Sequence, residues 1–307
     1  MKRNIYSYSK LWMIFFVLMG AACTNQVEDA IPVSGQPIEF SVQSDWKEIP
    51  NTRLNDGKTH FEDGNQIQIF GFHKSSSGEV QKFMYRVSDP ARGQIVTFDS
   101  ISNKWNYSPK RFWPKEETLD FYVGYPEYSV LYDEDNSRMT YEQTVNPLQL
   151  DLLWGVSAGQ KYANDRKDVE ITMKHALAKV IIRFDDTLGK IKQAKVSAYI
   201  VGYFSLTNAD IPNWKVDTSD KNIQEVTLPS PENQERIGDA TVFILPKRIT
   251  GLKLIRLDGT EIDASKEIQQ QQYTFEAGKV YNLTISKGVQ NNTNTRSIAM
   301  SVRCVSE

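Results

Sequence analysis

The sequence contains few of the side chains on which enzyme chemistry and metal binding usually depend. Only two cysteines and three histidines occur among its 307 residues. The cysteines, Cys23 and Cys304, are too few for a disulfide scaffold and lack the spacing of a zinc site. The histidines, His60, His73 and His175, show no ligand spacing either. A Walker-type phosphate loop and an HExxH motif are also missing from the sequence, so we expect no catalytic residue, no cofactor and no metal.

The chain also lacks an excess of either charge. Its 36 basic and 38 acidic residues give a net charge of −2. A nucleic-acid partner would need a basic stripe, so we expect no nucleic acid among the partners. The 40% of hydrophobic residues is enough to bury one or two cores.

The apolar run near the N-terminus, LWMIFFVLMG, is too short to span a membrane. A bilayer needs about 20 residues of helix, and this run supplies about half of them. It follows basic residues and precedes GAAC, a pattern that resembles a bacterial lipoprotein signal, although Gly20 stands where leucine is usual. We predict that residues 1–22 are a signal peptide and that Cys23 carries lipid, because two or more acyl chains hold a protein stably on a membrane. The alternative is an ordinary cleaved signal in which Cys23 has no role.

Beyond Asp29 the sequence has the pattern of an all-β protein. Short runs rich in β-branched and aromatic residues, such as NQIQIFGF, TLDFYVGY, VEITMKH, ATVFILP and KVYNLTIS, are separated by clusters of Gly, Pro, Asn and Asp. DASKEIQQQQY favours a short surface helix. The chain is long for one sandwich of about 100 residues. We therefore predict two sandwiches, residues 36–165 and 166–287, with their seam in the polar segment Ala158–Asp168.

Two motifs resemble functional sites but lack the neighbouring residues or elements that those sites require. GVSAG, around Ser157, matches a nucleophile elbow, which requires a helix after the serine and a histidine further along. The segment that follows is too polar for a packed helix, and His175 lies in an apparent strand, so we interpret GVSAG as a loop. Asp133, Asp135 and Ser137 have the spacing of a calcium loop. That loop's glycine and terminal glutamate are missing, which favours a solvated turn.

Six segments follow one another along the chain: FEDGNQIQIFGF, RFWPKEETLDFYVGYP, LDLLWGVSA, VEITMKHALAKVIIRF, VFILPK and FEAGKVYNLTIS. This ordered set resembles the fimbrillin family, the Mfa-like pilins of type V pili in Bacteroidetes, and the similarity runs from about Gln36 to Ser286. It implies two tandem transthyretin-like β-sandwiches and a structural pilin subunit of surface fimbriae, exported as an outer-membrane lipoprotein. It also implies that an Arg-specific protease cuts after Arg53, in NTRLNDG. The expected core residues are Phe112, Trp113, Phe121, Tyr122 and Tyr125 in one sandwich, and Val180, Ile182 and Phe184 in the other.

Both ends of the chain carry a strand pattern that suits exchange between subunits. In the segment 23–53, Ile38, Phe40 and Val42 share one face of the first strand, which cleavage would remove. In residues 288–307 a polar tether leads to a strand that places four apolar residues on one face: Ile298, Met300, Val302 and Cys304. We predict that this donor strand fills the groove of the next subunit, in a homo- or hetero-polymer of pilins.

A second interpretation is that the last strand folds back on its own domain. The chain would then be a monomeric outer-membrane lipoprotein, or a pilus tip subunit, that binds a glycan or a host ligand. Three aromatic residues, Trp105, Tyr107 and Trp113, could stack on sugars, although aromatic residues in a sandwich more often belong to the core.

The lipid prediction is tested by growth with a radioactive fatty acid. The precursor should be labelled, and Cys23→Ala should remove the label because the acylated thiol is lost. Label that persists in Cys23→Ala would show that Cys23 is not the lipidated residue.

Overall fold

The structure is a computed structural model that describes residues 33–45, 60–74, 80–115, 117–144, 147–163, 168–229, 239–270, 274–287 and 298–305. These ranges contain 22 strands, one α-helix and two short 3-10 turns, which confirms the all-β class. The signal peptide, Cys23, Arg53 and the tether 288–297 lie outside the described residues.

The strands begin and end as follows. The first twelve are β1 (Val33–Pro37), β2 (Phe40–Ser44), β3 (Gln66–Lys74), β4 (Val80–Met84), β5 (Gln94–Asp99), β6 (Lys104–Asn106), β7 (Phe112–Pro114), β8 (Thr118–Tyr125), β9 (Val130–Asp133), β10 (Arg138–Glu142), β11 (Leu153–Lys161) and β12 (Val169–His175). The others are β13 (Ala178–Phe184), β14 (Ile191–Tyr199), β15 (Val201–Ser205), β16 (Lys215–Val216), β17 (Ile223–Pro229), β18 (Ala240–Ile244), β19 (Ile249–Arg256), β20 (Glu261–Asp263), β21 (Val280–Lys287) and β22 (Ile298–Val305). The helix α1 spans Ser265–Gln270, within the segment predicted to be helical.

The N-terminal half is built on one large sheet. Its strand order is β2-β12-β11-β8-β3-β5-β6, with β4 also paired to β3, and β1 pairs separately with β7. The apolar faces of these strands bury what we call the first core: Ile38, Phe40, Val42, Phe61, Ile67, Ile69, Met84, Val96, Trp105, Tyr107, Trp113, Leu119, Phe121, Val123, Leu153, Val169, Ile171 and Met173. Period-two alternation produces this arrangement, since successive strand side chains face opposite sides.

The C-terminal half consists of two four-stranded sheets. Their orders are β18-β13-β21-β22 and β17-β14-β19-β20. Between them lies a second core, which includes Val180, Ile182, Val196, Leu252 and Leu283. Val180 and Ile182 are fully buried there, as expected from the sequence, and Phe184 packs at its margin.

A fourth sheet joins the two halves. Its order is β16-β15-β10-β9, so that β10 of the N-terminal half pairs with β15 of the C-terminal half from Arg138↔Ser205 to Glu142↔Val201. Residues of this sheet and of both halves form a shared core: Phe70, Phe72, Tyr122, Val130, Tyr132, Met139, Tyr141, Leu152, Trp154, Ala176, Leu177, Phe204, Phe243 and Leu245. The halves therefore pack through a continuous apolar interface.

The structure shows how the strands around the predicted seam are paired. The seam at Ala158–Asp168 precedes β12, which pairs with β2 and β11 in the large sheet, and the next strand, β13, belongs to a C-terminal sheet. The division into two tandem domains stays a prediction. The expectation for Phe112 was wrong: it is 39% exposed, because its neighbour Trp113 occupies the inward position of β7. Tyr122 is buried, but in the shared core.

The shared core gives a prediction with a matched control. Phe243 is 1% exposed and lies in the shared core, so Phe243→Ala should lower the free energy of unfolding by about 3–5 kcal/mol, because it leaves a cavity. Phe112→Ala removes the same ring from a site that is 39% exposed and should cost about 1 kcal/mol. Urea unfolding measures both, and equal losses would contradict a structural role for the shared core.

Candidate functional site: the first-strand site

The segment 38–44, which contains β2 and which we call the first strand although β1 precedes it, is buried as a core element near the start of the described chain. Ile38 is 0% exposed, Phe40 3% and Val42 8%, and the alternate residue Ser41 is exposed. The predicted apolar face is therefore confirmed. We call the surfaces that surround residues 38–42 the first-strand site: one edge of β12, and the segment from β6 to β7.

One edge of the first strand pairs with β12. The pairing is parallel and places Phe40 beside Val169. The amide of Val169 donates to the carbonyl of Glu39 at 2.8 Å, and the amide of Asp45 donates to the carbonyl of Met173 at 2.8 Å. Since successive residues of a strand direct their main-chain groups to opposite edges, the polar groups of the buried residues face away from β12.

The opposite edge is held by side chains. The indole Nε1 of Trp105 donates to the carbonyl of Val42 at 3.1 Å. The hydroxyl of Tyr107 donates to the carbonyl of Ile38 at 2.8 Å. The amide of Ile38 donates to the carbonyl of Arg111 at 2.8 Å. The first strand thus has hydrogen-bond partners on both edges.

Aromatic rings surround Phe40. Its ring centroid lies 5.2 Å from that of Phe121, nearly edge-on, and 5.9 Å from that of Tyr107. The Lys110 ammonium lies 3.0 Å from both carboxylate oxygens of Glu39 and 4.6 Å from the centroid of the Tyr107 ring. The central pocket of the site is therefore large and aromatic.

Burial raises the pKa of Tyr107 to about 12, and the negative charge of Glu39 acts in the same direction. The hydrogen bond that the Arg111 amide donates to the phenol oxygen and the positive charge of the Arg111 side chain oppose the rise. The phenol therefore stays protonated at neutral pH and remains a hydrogen-bond donor to the strand.

The glycan interpretation of the three aromatic residues is wrong. Trp105 and Trp113 are each 3% exposed and Tyr107 is 7% exposed, because all three pack in the first core. No ring face among them is open to a sugar. The sequence pointed to these three aromatic residues, but nothing in it indicated that Trp105 and Tyr107 donate hydrogen bonds to the first strand.

The C-terminal strand lies at the edge of a sheet. β22 pairs antiparallel with β21, from Lys287↔Ile298 to Val280↔Val305, and the other neighbour of β21 is β13. In the single chain the last strand thus lies on its own half, as the second interpretation expects. Its exchange between subunits stays a prediction, and the side chains of Ile298, Met300, Val302 and Cys304 lie outside the described part.

Ser157 does not sit in a nucleophile elbow. It lies within β11, where it pairs with Phe121, and its hydroxyl accepts a hydrogen bond from Gln160 Nε2 at 3.0 Å. The register shifts between Ser157 and Gln160, and Gly159 adopts φ +69° in this irregular stretch. The loop interpretation was wrong, because GVSAG belongs to a strand that continues to Lys161.

The acidic segment between β9 and β10 is a hairpin turn. The Asp133 carboxylate accepts hydrogen bonds from Asn136, and from Arg138 Nε at 3.0 Å. Those bonds, the Asn136 side chain first, hold the pKa of Asp133 below its usual value. Among the described residues, no group of three or more His, Cys, Asp or Glu could hold a metal ion. None of the helices in the described ranges is long and apolar enough to cross a membrane.

A partly buried polar cluster that the sequence did not reveal lies where the halves meet. His175 Nδ1 is hydrogen-bonded to Asp151 Oδ2, and Lys179, 4% exposed, lines the same cavity of about 20 Å³. Burial lowers the pKa of His175, but the charge and hydrogen bond of Asp151, helped by Asp45, outweigh it, and the pKa is raised. Burial lowers the pKa of Lys179 against the opposing attraction of Asp151.

This cluster predicts a pH dependence of stability. Because the pKa of His175 is higher in the folded chain than its unfolded value of about 6.5, protonated His175 stabilises the fold below about pH 6.5. That stabilisation should disappear as the pH rises through the folded pKa. His175→Gln should remove this decline from urea unfolding measured between pH 6 and 8, whereas His60→Gln, at an exposed site, should keep it. A decline that survives in His175→Gln would assign it to another group.

Comparisons with known proteins agree with this architecture. A sequence model of the Fimbrillin-like family matches residues 52–300. No curated protein matched the chain in a sequence comparison. Among solved structures, a candidate cell adhesion protein from Bacteroides uniformis has a TM-score of 0.52 at 16% identity, covering 88% of this chain and 98% of its own.

Two further structures are similar. A candidate cell adhesion protein from Bacteroides ovatus has a TM-score of 0.52 at 13% identity, covering 89% of this chain and 99% of its own. The tip fimbrial protein Mfa3 from Porphyromonas gingivalis, with a C-terminal truncation, has a TM-score of 0.40 at 8% identity, covering 80% of this chain and 95% of its own. At these identities the first two matches show a shared fold.

Proposed function

Because the chain belongs to the Fimbrillin-like family, we propose that it is a structural pilin subunit of surface fimbriae. It is exported as a lipoprotein through Cys23 and held at the outer membrane. A protease then cuts after Arg53 and releases the first strand, and subunits polymerise by donating residues 298–305 to one another. Family membership supports the fimbrial role, and the first-strand site supports the mechanism of assembly.

The observation that carries the proposal is the burial of the first strand. Its three apolar residues fill pockets of the first core, each with a contribution of about 1.5–3 kcal/mol from burial. Its backbone completes the ladder of β12. Loss of the segment that ends at Arg53 would open these pockets and leave the edge of β12 unpaired. A foreign strand can restore both, with main-chain bonds for affinity and alternate side chains for specificity.

The position of β22 suits a donor. It lies at the end of its sheet, so its departure breaks its ladder with β21 and leaves the order of β18, β13 and β21 unchanged. The ten residues 288–297 before it can reach at most about 35 Å when extended. In the first-strand site a strand has partners on two edges, whereas β22 has a strand partner on one edge, which favours exchange.

A second candidate function follows from the pairing of β22 within the chain. A chain whose last strand stays on β21 would be a monomeric outer-membrane lipoprotein, or a tip subunit, with a glycan or host ligand. In both cases the role is non-catalytic, which the strand geometry at Ser157 also supports.

The two functions are distinguished by variants of the last strand. Ile298→Asp with Val302→Asp should abolish the detergent-resistant ladder of polymers, because carboxylates cannot enter apolar pockets. The precursor should remain folded and exported. Subunits of the wild-type polymer should begin at Leu54.

Ser301→Asn is the control, since Ser301 alternates with the apolar residues and should face solvent, and the amide adds no charge beside its neighbours. The detergent-resistant polymers of this variant should persist. Ladders from the double variant, or a precursor that unfolds when residues 297–307 are deleted, would favour the monomeric function.

A further inference from the structure

Trp105 and Tyr107 take the place of a neighbouring strand along one edge of the first strand. Their donors bind the carbonyls of Val42 and Ile38, four residues apart on that edge. Both side chains are more than nine-tenths buried. These contacts are made to main-chain atoms, so they do not depend on which side chains the bound strand carries.

We propose that Trp105 and Tyr107 are a carbonyl-binding pair that retains any strand in the first-strand site, and that the polymer's occupant is the segment Ile298–Val302 of a second copy. This register rests on the proposed function. The pair holds the chain's own first strand before cleavage and the incoming strand afterwards.

An empty site is unfavourable for a reason separate from its apolar pockets. Without a strand, the indole N–H loses the carbonyl of Val42, and the phenol O–H keeps only the carbonyl of Arg111, at 3.5 Å. A bound strand restores both hydrogen bonds, which stabilises the filled site relative to the empty one. A segment that lacks carbonyls at the two positions satisfies neither donor. An extended peptide satisfies both.

The shapes of the three pockets select the register. The two outer pockets hold β-branched residues, Ile38 and Val42, and the central one holds Phe40 among aromatic rings. In the tail, Ile298 and Val302 flank Met300 at the same spacing. Methionine adapts to irregular pockets and interacts favourably with aromatic rings.

The alternative register is a poorer match. Moving the tail by two residues places Val302 in the large central pocket and Cys304 in the pocket of Val42. In the proposed register Cys304 instead takes the place of Ser44, which is partly exposed beside Met173 of β12. The outer residues set the direction: with Ile298 in the pocket of Ile38 and Val302 in the pocket of Val42, each residue replaces its own kind, and the tail runs in the direction of β2, parallel to β12.

The first test needs only the precursor. A specific protease site is placed within residues 51–57, the folded chain is cut, and the rate at which the N-terminal fragment dissociates is measured. Tyr107→Phe keeps the ring and removes the hydroxyl donor, so release should be about two- to tenfold faster. Tyr128→Phe is the matched control, because Tyr128 is 40% exposed, and should release at the wild-type rate.

An unchanged release rate for Tyr107→Phe would overturn the carbonyl-binding role, whether or not the protein forms polymers. Because the tail plays no part in this measurement, its result is independent of the proposed function.

The second test fixes the occupant and its direction by disulfide trapping in a Cys304→Ser background. Glu170 lies beside Ser41, the position that Ser301 would take, at a spacing that a disulfide can bridge. Chains with Glu170→Cys are assembled with chains that carry either Ser301→Cys or Ala299→Cys, and the polymers are oxidised. We expect a cross-link with Ser301→Cys.

A cross-link with Ala299→Cys alone would overturn the proposed direction. Polymers that form without either cross-link would overturn the register and leave the pilin function standing. Absence of polymers from the parent chains would instead refute the proposed function, and with it the occupant, while the release measurement still decides the role of Tyr107.

Discussion

The main chain of the first strand is buried between two edges, and this constraint explains most of the surrounding structure. Buried backbone groups require hydrogen-bond partners. β12 provides them on one edge, in a parallel ladder. On the other edge the short strands β6 and β7 do not form a continuous ladder with β2, and the indole of Trp105 and the phenol of Tyr107 provide two of the missing donors. Aromatic side chains near this edge therefore combine apolar packing with a polar function.

Polar groups also find hydrogen-bond partners where the two halves meet. Asp151 and His175 are hydrogen-bonded to each other beside Lys179, next to an otherwise apolar interface. Their pairing offsets the partial loss of hydration of the two side chains beside Phe243 and Leu177, which line the same cavity. The polar cluster and the shared core thus occupy one junction, and both halves depend on it.

Runs rich in β-branched and aromatic residues, separated by Gly, Pro, Asn and Asp, predicted β3, β8, β12, β18 and β21, because such residues suit a half-buried strand. Period-two alternation predicted the buried face of the first strand. GVSAG was interpreted as a loop because the segment after it is too polar for the helix of a nucleophile elbow, although it belongs to β11. Here a side chain at Gly155 would lie 2.8 Å from Ile171 Cγ2, so glycine allows β11 and β12 to pack closely.

The hydrogen bonds of the first-strand site could not be predicted, since they join residues 63 and 69 positions apart. Nothing local in the sequence marks such distant pairs. The pairing of β12 with β2 joins segments that are also far apart in the sequence. Which strands pair depends on every strand of the sheet, and here β12 is the strand that pairs with β2.

The segment Ile191–Ser205 has a mechanical consequence. It forms β14 in one sheet and, after Ile200 alone, β15 in the sheet shared with β10. A bend between the halves would have to break the five residue pairs of the β10–β15 ladder and open the shared core. Domains joined by small polar interfaces move readily, but those joined by a large apolar interface do not. The subunit is therefore a stiff unit, and a fibre made of such units would bend at the joints between them.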